Sequence, residues 1–295
     1  AELVEAWGQS HAMTETAGAG ALRERFEEEG YLVLEGFASA DEVQALRRRA
    51  AELVEAWDPA ERLSVFSTGE NQTKTTDHYF LESANTVSFF LEEKAVTGSA
   101  LTVDKSKAVN KIGHALHDLD PVFRGFTRSA KVGALLRELG CASPTPVQSM
   151  YIWKPPGIGG EVVPHQDSTF LHTEPTTCLG LWWALEDATK ENGCLWASPR
   201  SHLAGVQRRF VRTSEGGVTF DKDVPAADLT GFTPLEVKAG ALVVLHGANV
   251  HYSAENTSSA SREAYSAHFV ESSAVWSPDN WLQRAPDFPF EPLTV

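Results

Sequence analysis

The stretch Val163–Pro175, VPHQDSTFLHTEP, sets His165 and Asp167 two residues apart in an apolar run. Side chains alternate along an extended strand, so positions i and i+2 share a face. An imidazole and a carboxylate on one face either meet solvent or offer a metal one nitrogen and one oxygen. A third ligand is available downstream, where GALVVLHGANVHYS carries His246 and His251 at the end of an apolar strand. Either histidine completes a set of two nitrogens and one oxygen, and spacing alone does not choose between them. That set, with further positions left open, is the facial arrangement of non-haem Fe(II) oxygenases. The same three ligands with a bound water would also suit a zinc hydrolase.

Arg262 opens the apolar segment REAYSAHF, a short way past His251. An arginine entering such a strand is costly unless it meets an anion or reaches water. Its planar fork suits a carboxylate bidentately. A dicarboxylate co-substrate would chelate the metal at one end and meet Arg262 at the other. Lys111, in NKIGHALH, is a second candidate anion contact, expected here on a helix surface.

The elements that must position these residues fall into two groups. ALRERFEEE (21–29) reads as a short helix stopped by Gly30, and YLVLEGF as a buried strand. Ser39 and Glu42 have the capping-box spacing ahead of a helix whose buried face holds Val43, Leu46, Ala50, Leu53, Val54 and Trp57. Residues 60–110 carry little signal. A short helix is expected over Asn110–Leu119, and another over VFRGFTRSAKVGALLRELG, closed by Gly140. Beyond it VQSMYIWK, TTCLGLWWALED, GALVVLHGANVHYS and REAYSAHFVES read as strands between Pro/Gly-rich loops, with 213–234 an irregular insertion. Helices first and at least six strands after, without βα alternation, exclude a doubly wound sheet. The expectation is mainly β with N-terminal helices, on a jelly-roll or cupin-like double-stranded β-helix.

Composition narrows the class. With 42% hydrophobic and 22% charged residues over 295 positions, the chain reads as one ordinary globular domain. A net charge of −15 argues against nucleic acid and anionic membrane surfaces as partners. Cys141, Cys178 and Cys194 are widely spaced, which fits a reducing compartment. No apolar run is long enough to span a bilayer, so the reading is cytoplasmic. AELVEAW occurs at 1–7 and again at 51–57. Residues 1–12 therefore read as a leader foreign to the fold, and 13–295 as the domain.

Together, VQSMYIWKPP, GGEVVPHQDSTFL, LGLWWALEDATKENGCLWASPRSH, KAGALVVLHGANVHYS and SREAYSAHF resemble the phytanoyl-CoA dioxygenase family, over about Phe26 to Leu282. The resemblance implies an oxygenase dependent on Fe(II), 2-oxoglutarate and O2, acting on a small-molecule substrate. It implies His165, Asp167 and His251 as iron ligands and leaves His246 aside. It implies Arg262 as the partner of the distal carboxylate of 2-oxoglutarate, with Ser253 beside it and Lys111, Met150 and Trp182 lining the same co-substrate. Related halogenases lack the carboxylate ligand, so Asp167 points to hydroxylation or desaturation. One departure is Pro199-Arg200, where relatives carry glycine after the proline; that turn is expected to differ. Trp153, Phe170, His172, Trp196 and Phe210 flank the metal strands and are candidate pocket residues. Outside this class, a cupin-like binding protein without catalysis would keep the fold and lose part of the ligand set.

Overall fold

Two helices flank a strand at the start of the described residues. The helices begin and end close to where the sequence places them, and the strand stops at Leu34, short of the expected YLVLEGF. The computed structural model describes residues 20–60, 62–68 and 77–294, so the expected leader at 1–12 lies outside the described residues. Helix α1 (Ala21–Glu29) closes on Gly30 at φ 80, whose N–H donates to the Phe26 carbonyl at 2.8 Å. A Cβ there would lie 2.3 Å from Nδ1 of His202, so the position excludes a side chain on two counts. Strand β1 (Tyr31–Leu34) follows. Helix α2 (Ala40–Ala56) starts with the expected capping box: Ser39 N–H donates to Glu42 at 2.8 Å, and Glu42 N–H to Ser39 Oγ at 3.3 Å. The helix expected after residue 122 forms as two, α3 (Pro121–Thr127) and α4 (Ala130–Glu138). They part at Ser129, whose backbone is extended.

The remaining strands used below are β2 (Val87–Leu91), β3 (Val109–His114), β4 (Pro144–Lys154), β5 (Val162–His165) and β6 (Leu179–Ala184), then β7 (Leu195–Ala197), β8 (Thr233–Leu235), β9 (Leu242–His246), β10 (His251–Ser253) and β11 (Arg262–Glu271). A seven-stranded antiparallel sheet runs β1-β9-β6-β11-β4-β3-β2, and a four-stranded one runs β8-β7-β10-β5. Among the described residues no α-helix follows Glu138, as the strand-rich second half predicts. The two sheets make the expected double-stranded β-helix, with the helices banked on the outside of the larger one.

Alternation divides the large sheet cleanly. Leu181 and Trp183 on β6, Leu242 and Val244 on β9, and Tyr265, Ala267 and Phe269 on β11 pack with Phe26, Leu46, Phe123 and Leu135 of the helices. Their neighbours Trp182, Ala184, Val243, Leu245 and Ala264 pack instead with Leu195, Ala197 and Leu235 of the small sheet. A strand buried on both faces reads as a continuous apolar run, which is why LGLWWAL and ALVVL show no period of two.

The expected helix over 110–119 is a correction. Val109–His114 is a strand, paired on one side with β2 and on the other with β4, and only Leu116–Leu119 is helical. All six strand residues are buried, Asn110, Lys111 and His114 included, so hydrophobic spacing carried no information about their period. The 213–234 segment is less irregular than expected: Val218–Phe220 pairs with Phe210–Arg212, and β8 adds an edge to the small sheet.

Candidate metal centre

Strands β5 and β10 are antiparallel neighbours, and their register sets His165 directly opposite His251. The two rings lie 4.3 Å apart between centroids. Each ring is held by its other nitrogen: His165 Nδ1 lies 2.8 Å from the Val163 carbonyl, and His251 Nδ1 lies 3.1 Å from that of Asn249. A carbonyl only accepts, so Nδ1 carries the proton in both rings and Nε2 keeps its lone pair. Both free nitrogens face the same carboxylate oxygen, Asp167 Oδ1, at 3.8 Å and 3.7 Å.

Asp167 reaches that place because Gln166 stays extended before a 3-10 turn begins at Asp167. Gln166 points the other way and anchors the bend: its amide donates to the carbonyls of Ala248 (2.6 Å) and Gly205 (2.9 Å), and its oxygen accepts from Gln207 N–H. The ligand atoms of His165, Asp167 and His251 all lie within 4.8 Å of one another. His246 lies outside this group. Its Nδ1 accepts from Ala248 N–H at 3.0 Å, and its ring packs on His202 and Phe26.

Electrostatics suits a cation here. Burial, with His251 alongside, lowers His165 to about 4, so the ring is neutral and ready to ligate at neutral pH. Burial pushes the Asp167 carboxyl up, but the imidazoles of His268 and His251 outweigh it and hold it well below the usual carboxylate range. The donor set therefore fits a divalent transition metal: two neutral imidazoles and one carboxylate on one side.

Lys111, Met150, Trp182, Ser253 and Arg262 line the same cavity as the three ligand residues, about 160 Å³ and partly open to solvent. Arg262 is 2% exposed, with Nε and Nη1 lacking a hydrogen-bond partner among the described residues. Its guanidinium carbon lies 5.4 Å from the Trp182 ring. Lys154 stands opposite it across the β4–β11 pair, also buried, with Nζ donating to the carbonyls of Gly160 and Ala254. Glu92 is one of the acids nearby; it is buried, its carboxyl raised by burial, and it accepts from Asn110 and Gly160. Glu92 and Glu186 act on Arg262 through charge, but among the described residues no carboxylate hydrogen-bonds its Nε or Nη1, which leaves those donors short of an anion. A carboxylate with acceptors for the unpaired Arg262 donors fits that deficit.

Lys111 corrects the helix-surface expectation. It is a buried strand residue, its Nζ 3.3 Å from the Phe66 ring centroid and 3.9 Å from Met150 Sδ, and burial lowers it well below the lysine range. Ser253 Oγ donates to the Gly193 carbonyl at 2.8 Å. Of the five aromatic and histidine candidates for the pocket, Phe170 lines the cavity and the others do not. Trp153 faces the helix side, Trp196 stacks on Tyr252, and Phe210 packs behind Phe170. Phe66, Phe80 and Trp281 form wall instead, from segments where the sequence showed no pattern. His268 was also missed; its i−2 neighbour on the strand is Ser266, which offers no metal-ligand pair to flag it. At Pro199-Arg200 the turn keeps a left-handed residue, with Arg200 at φ 64 where glycine would be least strained.

Comparison with known proteins agrees with this geometry. The family description "Phytanoyl-CoA dioxygenase (PhyH)" matches residues 26–264. The chain is 52% identical to a phytanoyl-CoA dioxygenase of Arabidopsis thaliana, covering 88% of this chain and 92% of that one. It is 50% identical to phytanoyl-CoA dioxygenase domain-containing protein 1 of Bos taurus, over 92% and 96%. Among solved structures, the epimerase SnoN in complex with Fe3+, alpha-ketoglutarate and nogalamycin RO shares the fold, with a TM-score of 0.63, 18% identity and 92% of each chain covered. With a match that spans both sheets and takes in all three clustered ligand residues, the chain belongs to the phytanoyl-CoA dioxygenase family, whose members are dioxygenases using iron and 2-oxoglutarate.

Proposed function

We propose that residues 13–295 work as one oxygenase domain that hydroxylates or desaturates an unactivated C–H bond of a small molecule. His165, Asp167 and His251 would hold Fe(II), and Arg262 would bind the distal carboxylate of 2-oxoglutarate. Lys111, Met150, Trp182 and Ser253 would line that co-substrate. Bound iron with 2-oxoglutarate and O2 supplies the oxidising power for C–H chemistry that no side chain provides.

The chain's own residues do the rest. The Val163 and Asn249 carbonyls fix both imidazoles as Nε2 ligands, so no proton has to leave when metal binds. Arg262 lines the same cavity as the ligand set and would hold an anion in one orientation, aiming its other end at the metal ligands. Phe66, Phe80, Phe170 and Trp281 give the remaining wall an apolar surface that excludes water from the reacting carbon.

The observation that carries the reading is the pairing, in one cavity, of a three-donor metal set with a buried guanidinium that lacks an anion. A zinc hydrolase on the same three ligands would need neither O2 nor 2-oxoglutarate, and would release no succinate. A binding protein that had lost catalysis would not need three intact ligands beside that guanidinium. The test is anaerobic loading with Fe(II) and 2-oxoglutarate, followed by admission of O2. A weak visible charge-transfer band and slow succinate release are expected. Properly loaded iron that yields no band would sink the oxygenase reading.

A further inference from the structure

The two oxygens of Asp167 face different partners. Oδ1 is turned to the two metal-ready imidazoles, at 3.8 Å and 3.7 Å. Oδ2 is turned to the large sheet, where His268 Nε2 lies 3.3 Å away. His268 stands on β11, buried, between Gly180 of β6 and Gln148 of β4. Among the described residues neither its Nδ1 nor Asp167 Oδ2 has a hydrogen-bond partner, and the 3.3 Å approach of Nε2 to Oδ2 is a polar contact outside hydrogen-bond geometry. Burying an imidazole in an apolar strand for a single contact is costly unless that contact matters.

Gly180 makes the contact possible. A Cβ at that position would lie 2.6 Å from Asp167 Oδ2, well inside van der Waals distance, and 3.6 Å from His268 Nε2. The carboxylate therefore rests on bare backbone, directly across from His268 in the ladder.

We propose that His268 and Gly180 form a cradle that fixes the Asp167 carboxylate, with His268 Nε2 set against Oδ2 at 3.3 Å so that Oδ1 alone is presented to the metal. This rests on the metal-site reading above. His268 lines the cavity beside the carboxylate and would act on the metal through Asp167, as a positioning residue. A carboxylate free to rotate could take the metal through both oxygens and close a position that O2 or the co-substrate needs. Held by one oxygen, it leaves that position open. The cradle thus sets how many coordination sites the protein leaves vacant, as well as how tightly it binds.

Co(II) alone tests this, because its visible bands report both affinity and coordination number without turnover. Titrations of the wild type, His268→Leu, His268→Gln and Gly180→Ala would be compared, with apo thermal unfolding as the check on folding. His268→Leu is expected to weaken Co(II) by about 10–100-fold, the usual cost of losing such an outer contact. Its band pattern should also shift toward a higher coordination number. His268→Gln, which keeps a donor near the Nε2 position, should recover most of the affinity and the wild-type bands. Gly180→Ala should reproduce the Leu phenotype from the other side of the carboxylate, and carries the test if the Leu variant does not fold. Wild-type affinity and bands in folded His268→Leu, or Gln no better than Leu, would overturn the positioning role and leave the metal site standing. Absence of Co(II) binding by the wild type would overturn both.

Discussion

Replacing Arg262 with methionine should have opposite effects on stability and on co-substrate binding. The guanidinium is 2% exposed, two of its nitrogens have no partner, and burial lowers it from 12.5 to about 10. A depressed cation is one the fold disfavours at neutral pH, and the size of the drop corresponds to about 3 kcal/mol. Methionine fills much of the stem's volume without the charge, so apo Arg262→Met should be as stable as wild type or more so. Binding moves the other way. Two charge-assisted hydrogen bonds to a carboxylate, at about 1.5–3 kcal/mol each, give a loss of about 10²-fold or more in 2-oxoglutarate affinity. Urea unfolding of the apoprotein measures the first quantity. The rise in Tm of metal-loaded protein with added 2-oxoglutarate measures the second. An apo variant destabilised by more than about 1 kcal/mol that keeps the 2-oxoglutarate shift would refute the reasoning, because Arg262 would then be a structural cation.

Asp167→Ala should abolish the rise in Tm that Fe(II) or Co(II) produces in the wild type, since two imidazoles remain without their anion; a persisting shift would place the metal elsewhere. His246 is half-buried and lowered to about 4, by burial first and by His202 second, against an unfolded value of 6.5. Between those values the unfolded chain binds the extra proton, so stability present above about 6.5 is lost as pH falls toward 4. His246→Phe should reduce the stability loss between pH 7 and pH 5 by about 2 kcal/mol, and equal pH slopes for both proteins would contradict this. Arg200 holds a left-handed conformation at φ 64 and reaches only an exposed Glu28 at 3.4 Å. Arg200→Gly should therefore stabilise the protein by about 1 kcal/mol in chemical denaturation, the strain it removes exceeding the entropy it adds; a clear loss would show that the turn is not strained.

How much of this could be read in advance differs from element to element. The cap at Ser39, the stop at Gly30 and the helices they bound are local chemistry, and they stand where the residues place them. Lys111 is the opposite case. Its segment is buried on both faces, so neither period appears, and only pairing with β2 and β4 makes it a strand. The aromatic wall behaves likewise: Phe66, Phe80 and Trp281 come from segments far apart in the chain, and no local pattern announces that they meet.

The sequence by itself determined the chemistry on offer: a histidine and an aspartate two residues apart, a later histidine, and an arginine at the head of an apolar strand. Those are covalent facts about residue type and spacing, and the motifs around them were enough to name the family. Spacing alone left His246 and His251 open, the resemblance pointed to His251, and only the tertiary structure gives the geometry behind that choice. His246 and His251 sit five residues apart, and β10 pairing with β5 puts the second opposite His165 while the first turns to His202. The same holds for His268 and Gly180. They are far apart in sequence, and it is the β6–β11 register that places one across from the other beneath a single carboxylate oxygen. Residue identity is written along the chain, whereas opposition across strands exists only once long-range pairing has formed.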